Sequence, residues 1–486
     1  MSPNERHSAG FPASGIAGVQ SASHVPSTCQ VEPRRYRRRG SLRCGSAAKL
    51  AIAGVALVYI QSRAIDNYPA SDPSLPMLTE PGQTQEPSVY RARREALLKR
   101  MGEGVAVIYA EGVEDGDGYR QSPDFFYLTG VHEEKAILVL APKERTYREF
   151  LLLANRDPEA ERWTGERDPL GIALRKKYGF EKIYRTDRLM RLVLELTMRS
   201  PVLWQVMTPQ PGDEKKPADL ELYGKISSLL AGVSTRPLPY TLPEMRSNHS
   251  PDEIALMQRA IRITENGFRA AVFEIRPGGT EASVEAEAER FWKSNGARRP
   301  AYPSIVGSGP NSTVLHYPRS ERSMKEGELI LLDMGAEFAH YAADITRTVP
   351  VNGKFTPKQR EIYDLVLKAQ NAALARLKPG VFLEDLDAAA RQVIEAAGYG
   401  DYFIHGLGHF VGLDVHDAGA YQQPLAPGMV ITLEPGIYLP EEKLGVRIED
   451  DVLVTKSGAK ILSDGLPREA EEVEQWLAAR ASRTAR

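Results

Sequence analysis

Four carboxylates and a group of histidines occupy positions where a chain seldom places either without a use. Asp333 ends the apolar run 329–332, and Asp344 lies on the returning segment 342–349. Glu434 closes a second apolar run just before Pro435-Gly436, and Glu449 follows Val446-Arg447-Ile448. His405-Gly406-Leu407-Gly408-His409 and then His416-Asp417 fall in one glycine-rich stretch, and His316 follows another. Opposed positions of a hairpin bring side chains within about 5 Å, where two unpaired carboxylates force protonation or admit a cation. Four carboxylates and one neutral imidazole balance two divalent ions, and an oxygen-dominated set favours hard or borderline metals such as Mn²⁺. Two metals roughly 3.5–4 Å apart make a nucleophilic hydroxide near neutral pH and polarise a carbonyl, which is hydrolytic chemistry. Any one of these residues alone reads equally well as a surface acid or a satisfied core histidine. Their number carries the argument.

Such side chains need strand ends that meet. Arg276-Pro277-Gly278 and Lys378-Pro379-Gly380 stand 102 residues apart, each after an alanine-rich helical stretch, and Gly296 and Gly398 keep that offset. Residues 326–335 lie about 101 before the similar run 427–436. The pattern predicts a duplicated helix-strand unit whose halves face each other across a pocket, with Asp333 and Glu434 at equivalent strand ends. Residues 335–341 are expected to make the turn between the two aspartates. The first helix announces itself in Ser250-Pro251-Asp252-Glu253, a hydroxyl N-cap, proline at the first helical position and a carboxylate three residues after the cap. An amphipathic run to residue 273 follows.

Upstream, a basic helix over 90–100 and the short apolar runs 104–110, 136–140 and 150–153 interleave. Two prolines and little periodicity over 238–250 place a boundary there. The fold class is therefore α/β (α+β): an N-terminal mixed domain at 89–247, then a catalytic domain at 248–470, with the tail 471–486 expected to fray from Trp476.

The chain has 486 residues, 42% hydrophobic and 26% charged, enough to bury a sizeable core. Its net charge of -2 offers no basic field for nucleic acid. Residues 1–64 differ from the rest: nine Lys/Arg against Glu5 and Glu32 give +7, leaving about -9 for residues 65–486. In that leader a basic run, 34–43 with Lys49, precedes the apolar residues 50–60 and Ser62-Arg63-Ala64, the layout of an export signal. Eleven apolar residues are too few for a stable membrane span. The long stretch before them also fits an organellar transit sequence or a misassigned start, which would leave the protein cytoplasmic. Residues 65–88 read as a linker. Cys29 and Cys44 both lie in the leader, so the body has no thiolate chemistry.

The five residues Asp333, Asp344, His409, Glu434 and Glu449, set in LLDMG, ADITRT, HGLGHFVGLDVHDAG, TLEPGIY and VRIEDD, resemble the "pita-bread" metallopeptidases. Within these the chain is most similar to the aminopeptidase P and prolidase branch, because Tyr119-Arg120-Gln121-Ser122-Pro123-Asp124-Phe125-Phe126-Tyr127-Leu128-Thr129-Gly130 resembles the N-terminal domain of aminopeptidase P. The resemblance implies that Asp333 and Asp344 serve one metal and Asp344, His409, Glu434 and Glu449 the other, with Asp344 and Glu449 among the bridging groups, Mn²⁺ first, with Zn²⁺ or Co²⁺ as alternatives. Glu434 would also shuttle a proton, and His316 and His416 would orient the substrate and stabilise the oxyanion. His405, Tyr438 and Arg447 would line the pocket beyond the scissile bond. Gly408 stands where some aminopeptidase P sequences carry serine. Release of the N-terminal residue from peptides with proline second is the implied activity, and a homo-dimer or homo-tetramer the implied assembly. A dipeptidase of the prolidase type and a non-catalytic peptide-binding scaffold are the rival readings.

Overall fold

In the computed structural model the described residues are 85–110, 113–115, 118–206, 216–238, 241–419 and 421–484. The expected leader, both cysteines and nearly all of the linker lie outside them.

The N-terminal domain is built on a six-stranded mixed sheet in the spatial order Ile183–Arg185, Glu149–Leu153, Ile137–Leu140, Val105–Tyr109, Val202–Gln205, Ser234–Pro237. Alternation along its strands divides the residues between two faces. Ala106, Ile108, Leu138, Leu140, Leu151 and Leu153 point to one, with Leu97 and Leu98 of helix Pro87–Met101. Val105, Val107, Ile137, Val139 and Leu152 point to the other, with Val193 and Leu196 of helix Leu189–Arg199. The first face shares its core with the catalytic domain.

That domain repeats one design. Helices α1 (Pro251–Ala271) and α2 (Glu281–Ser294) form an antiparallel pair, as do α3 (Pro357–Arg376) and α4 (Leu383–Ala396). Each pair turns at its Pro-Gly, where Gly278 (φ 81°) and Gly380 (φ 91°) adopt the left-handed conformation that glycine reaches without strain. A capping box opens α1, with Ser250 and Glu253 exchanging hydrogen bonds of 3.3 and 2.9 Å. Thr356 and Gln359 do the same at α3, with Pro357 next to the cap. That second box was equally visible in the sequence and belongs to the repeat. Each such cap is worth about 1 kcal/mol.

The strands repeat as well. In the first half β1 (Leu329–Met334) pairs with β4 (Ile345–Pro350), and between them β2 (Ala336–Phe338) and β3 (Tyr341–Ala342) form a hairpin of their own. In the second half β5 (Val430–Leu433) pairs with β8 (Asp450–Thr455), enclosing the hairpin of β6 (Gly436–Leu439) and β7 (Leu444–Arg447). Residues 335–341 are thus more than the simple turn expected. They carry an inserted hairpin whose tight turn, Ala339 (φ 55°) and His340 (φ 70°), has positive φ at both central positions, as two-residue hairpin loops require. The C-terminal segment also departs from expectation. It is helical over Ala470–Thr484, with Val473 and Leu477 buried against the core, because apolar residues at helical spacing hold it down.

Candidate metal centre and its pocket

The two halves meet where each inner hairpin branches from its outer pair. Asp333, the fifth residue of β1, stands opposite Thr346 of β4, so Asp344 is its diagonal neighbour and not its direct partner. Tyr302 closes the gap: its hydroxyl lies 2.6 Å from Asp333 Oδ1 and 2.6 Å from Asp344 Oδ1. Glu434 follows β5 and Glu449 precedes β8, occupying the corresponding corner of the second half.

His409 joins these acids from the glycine-rich loop. Its backbone N–H donates to Thr432 Oγ1 at 3.0 Å, and its Nδ1 lies 3.2 Å from the Phe410 carbonyl, which assigns the N–H to that nitrogen. Nε2 then faces Asp344 Oδ2 and Glu434 Oε1, at 3.4 Å each. Donor atoms of Asp344, His409 and Glu449 lie within 4.8 Å of one another. The structure brings all five expected ligand residues around one cavity.

Electrostatics test whether cations fit there. Burial, together with the charges of its acidic neighbours, raises Glu449 well above the usual carboxylate range. Burial first, and Asp344 and Asp333 after it, push Glu434 up to about 8 against the pull of His409 and Arg447. Burial also raises Asp333. For His409 burial opposes the charge, but Asp344 and Glu434 outweigh it and raise the imidazole to about 9. Without cations this cluster has to take up protons, and a lone pair on His409 Nε2 would face two carboxylates. A divalent ion relieves both conflicts, so the donor set fits.

The cavity holds about 540 Å³. Its apolar wall is made by Ile305, Leu315 and Val415, and His316, His405, His416 and Arg447 line the rest. His416 stacks edge-on against His409, with ring centroids 4.2 Å apart. Burial lowers its pKa, as does His409, against the pull of Asp344. Burial likewise lowers His405 to about 4.

One expected pocket residue lies elsewhere. Tyr438 is only 2% exposed and does not reach the wall. Its hydroxyl accepts from Arg447 Nη1 at 2.9 Å and lies 2.9 Å from His405 Nε2, so it braces those two residues from behind. Arg447 continues the chain by pairing with Asp333. The sequence reading missed Tyr302 and Thr346. Nothing in Ala301-Tyr302-Pro303 signals a tyrosine between two acids, and a threonine in a strand is ordinary.

The duplicated fold and its acid-lined seam define a metallopeptidase of the pita-bread architecture. Residues 255–456 match Metallopeptidase family M24, and residues 90–204 match the aminopeptidase P N-terminal domain. The chain is similar to an Escherichia coli Xaa-Pro aminopeptidase, 36% identical over 80% of this chain and 97% of the relative. A solved Escherichia coli aminopeptidase P variant in complex with substrate superposes with a TM-score of 0.74 at 33% identity, covering 82% of this chain and 99% of that one. A Pyrococcus furiosus Xaa-Pro dipeptidase is 45% identical, but over only 46% of this chain and 64% of its own length. The chain belongs to metallopeptidase family M24, within the group that carries the aminopeptidase P N-terminal domain.

Proposed function

We propose that the protein is a metal-dependent aminopeptidase that releases the N-terminal residue from peptides with proline in second position. One observation carries the reading: His409, its Nδ1 engaged, turns Nε2 toward Asp344 and Glu434 at 3.4 Å each beside a buried Glu449. Asp333 and Asp344 would hold one divalent ion, and Asp344, His409, Glu434 and Glu449 the other. Manganese is favoured, since oxygen donors predominate, over Zn²⁺ or Co²⁺. When bound, such a pair supplies a hydroxide at neutral pH and polarises the scissile carbonyl.

The chain's own groups do the rest. Glu434 receives the proton of the attacking water on a carboxylate oxygen and returns it to the departing proline nitrogen. His316 and His416 aim ring N–H groups at the carbonyl oxygen as it becomes tetrahedral. His405, backed by Tyr438 and Arg447, borders the proline side. An Xaa-Pro bond has no N–H and a locked φ, so a site that grips an extended backbone loses a donor, and a preformed apolar wall compensates. The N-terminal domain, matched over 90–204, supports aminopeptidase over dipeptidase specificity.

A peptide panel tests this: Xaa-Pro against Xaa-Ala sequences of two and three residues, with and without chelator. Cleavage of Xaa-Pro-Yaa, lost with chelator and restored by Mn²⁺, is expected. Activity confined to dipeptides would favour the prolidase reading, and none at all in metal-loaded protein the scaffold. We further propose export directed by residues 1–64 and assembly into a homo-oligomer, checked by N-terminal sequencing of the secreted form and by light scattering. Among the described residues no helix is long and apolar enough to cross a membrane.

A further inference from the structure

The stretch Tyr119-Arg120-Gln121-Ser122-Pro123-Asp124 marks the N-terminal domain, yet none of it lines the pocket. Its charged members turn instead onto the loop that bears His416. Arg120 Nη2 donates to the Leu413 carbonyl at 2.9 Å and pairs with Asp414 Oδ1 at 2.6 Å. Asp124 Oδ1 accepts from Arg246 Nη1 at 2.8 Å. The other end of Arg246 pairs with Asp417 and lies 3.5 Å from Asp414 Oδ2. Arg246 is only 6% exposed, so solvent screens these pairs little.

Asp417 shapes the loop from within. Its carboxylate accepts from the N–H groups of Leu413 (3.1 Å) and Ala418 (2.7 Å), closing the loop on itself. A Cβ at Gly412 would meet Asp417 Oδ2 at 2.1 Å, so the fit is close. The loop's base is tied separately, by Ala342 N to Gly412 O and Asp417 N to Phe410 O, both 2.8 Å. His416 has no such anchor. Its ring makes no hydrogen bond to any described residue and packs edge-on against the His409 ring. The imidazole therefore stands wherever the loop backbone puts it.

We propose that Arg120 and Arg246 are positioning residues for His416: through Leu413, Asp414 and Asp417 they fix the loop that aims its imidazole into the pocket. The N-terminal domain thereby takes part in the chemistry of its own chain without touching substrate. The inference rests on the peptidase reading of the site. An arrangement that only glued two domains together would place the same charges at any part of the interface. Arg120 Nε also lies 3.5 Å from Glu337 Oε2 of β2, but both arginines, from different elements, make their closest ion pairs with a single loop of a few residues.

The test is a double-mutant cycle on the metal-loaded full chain, with an Xaa-Pro-Yaa tripeptide and the parent enzyme in parallel. Arg120→Met is expected to lower kcat by about tenfold or more with KM and metal content little changed, because a misplacement of about 1 Å is costly to catalysis. In a His416→Ala background the same substitution should change the residual kcat by less than about twofold. Arg246→Met should behave alike, and Arg120→Lys should recover part of the rate by restoring one bond. If a methionine variant does not fold, Asp414→Asn runs the same cycle. Equal losses in both backgrounds, or an unchanged kcat, would overturn the proposal while leaving the peptidase reading intact. An inactive parent enzyme would remove both.

Discussion

The Thr346 hydroxyl donates a 2.6 Å hydrogen bond to Glu449 Oε2, so a strand of the first half orients a carboxylate of the second. Thr346 Oγ1 in turn accepts from Arg447 Nε at 3.2 Å. Thr346→Val keeps the side-chain shape and deletes both contacts. Divalent-ion affinity should fall about 10- to 100-fold, the usual cost of removing a partner that orients a ligand. Titration calorimetry on metal-free protein measures it, and unaltered affinity would mean that Glu449 is held by other means.

Asp344 is one of the acids shared between the proposed ion sites, 3.4 Å from His409 Nε2 and hydrogen-bonded through its N–H to Asp451 Oδ2 at 3.1 Å. Asp344→Asn removes one charge and leaves the backbone contact in place. The variant should fold yet lose at least about 10³-fold in kcat/KM together with bound metal. Elemental analysis beside steady-state kinetics decides the matter, full activity in the variant being the adverse result.

Glu253 supplies a pH dependence away from the metal cluster. It caps α1, receives the Tyr341 hydroxyl at 3.1 Å and pairs with Arg93 of the N-terminal domain at 3.2 Å. Burial opposes its charge, but the His249 ring 3.8 Å away, Arg93 and the Ser250 N–H together hold it down to about 2 from an ordinary 4.5. A folded pKa below the unfolded one means stability that is complete above the unfolded value and lost as pH falls through the folded value. The gap corresponds to about 3 kcal/mol at neutral pH. Glu253→Gln should therefore be less stable at about pH 7, with a shallower further loss between about pH 5 and 2. Urea melts across that range would expose parallel curves if the carboxylate were idle.

Gly335 lets the first inner hairpin fold back beside Asp344. A Cβ there would lie 1.7 Å from the Ala343 carbonyl oxygen. Gly335→Ala should destabilise by about 1–3 kcal/mol, since the clash is with backbone and cannot be relieved by a rotamer. Because Ala343 precedes Asp344, metal affinity should decline as well. A denaturation midpoint equal to that of the parent would refute this.

The five candidate ligands were legible because each interrupts an apolar or glycine-rich run, and the repeat was legible because its Pro-Gly turns keep register. Partners that act across long separations were hidden. Thr346 meets Glu449 103 residues later, and Arg246 meets Asp417 171 residues later. Neither has any local pattern. Tyr438 was misplaced for a related reason: alternation along β6 says which residues share a face, but not that Arg447 intervenes between that tyrosine and the cavity. The C-terminal helix was undervalued because charges crowd its exposed side, although Val473 and Leu477 stand one turn apart.

The pseudo-symmetry of the catalytic domain ends at its lining. Matching backbone corners present aspartates from one half and longer glutamates from the other, and an imidazole adds to the second alone. Two places of unlike reach and softness cannot release their occupants equally readily. A metal titration of the metal-free protein is therefore expected to show steps of unequal affinity.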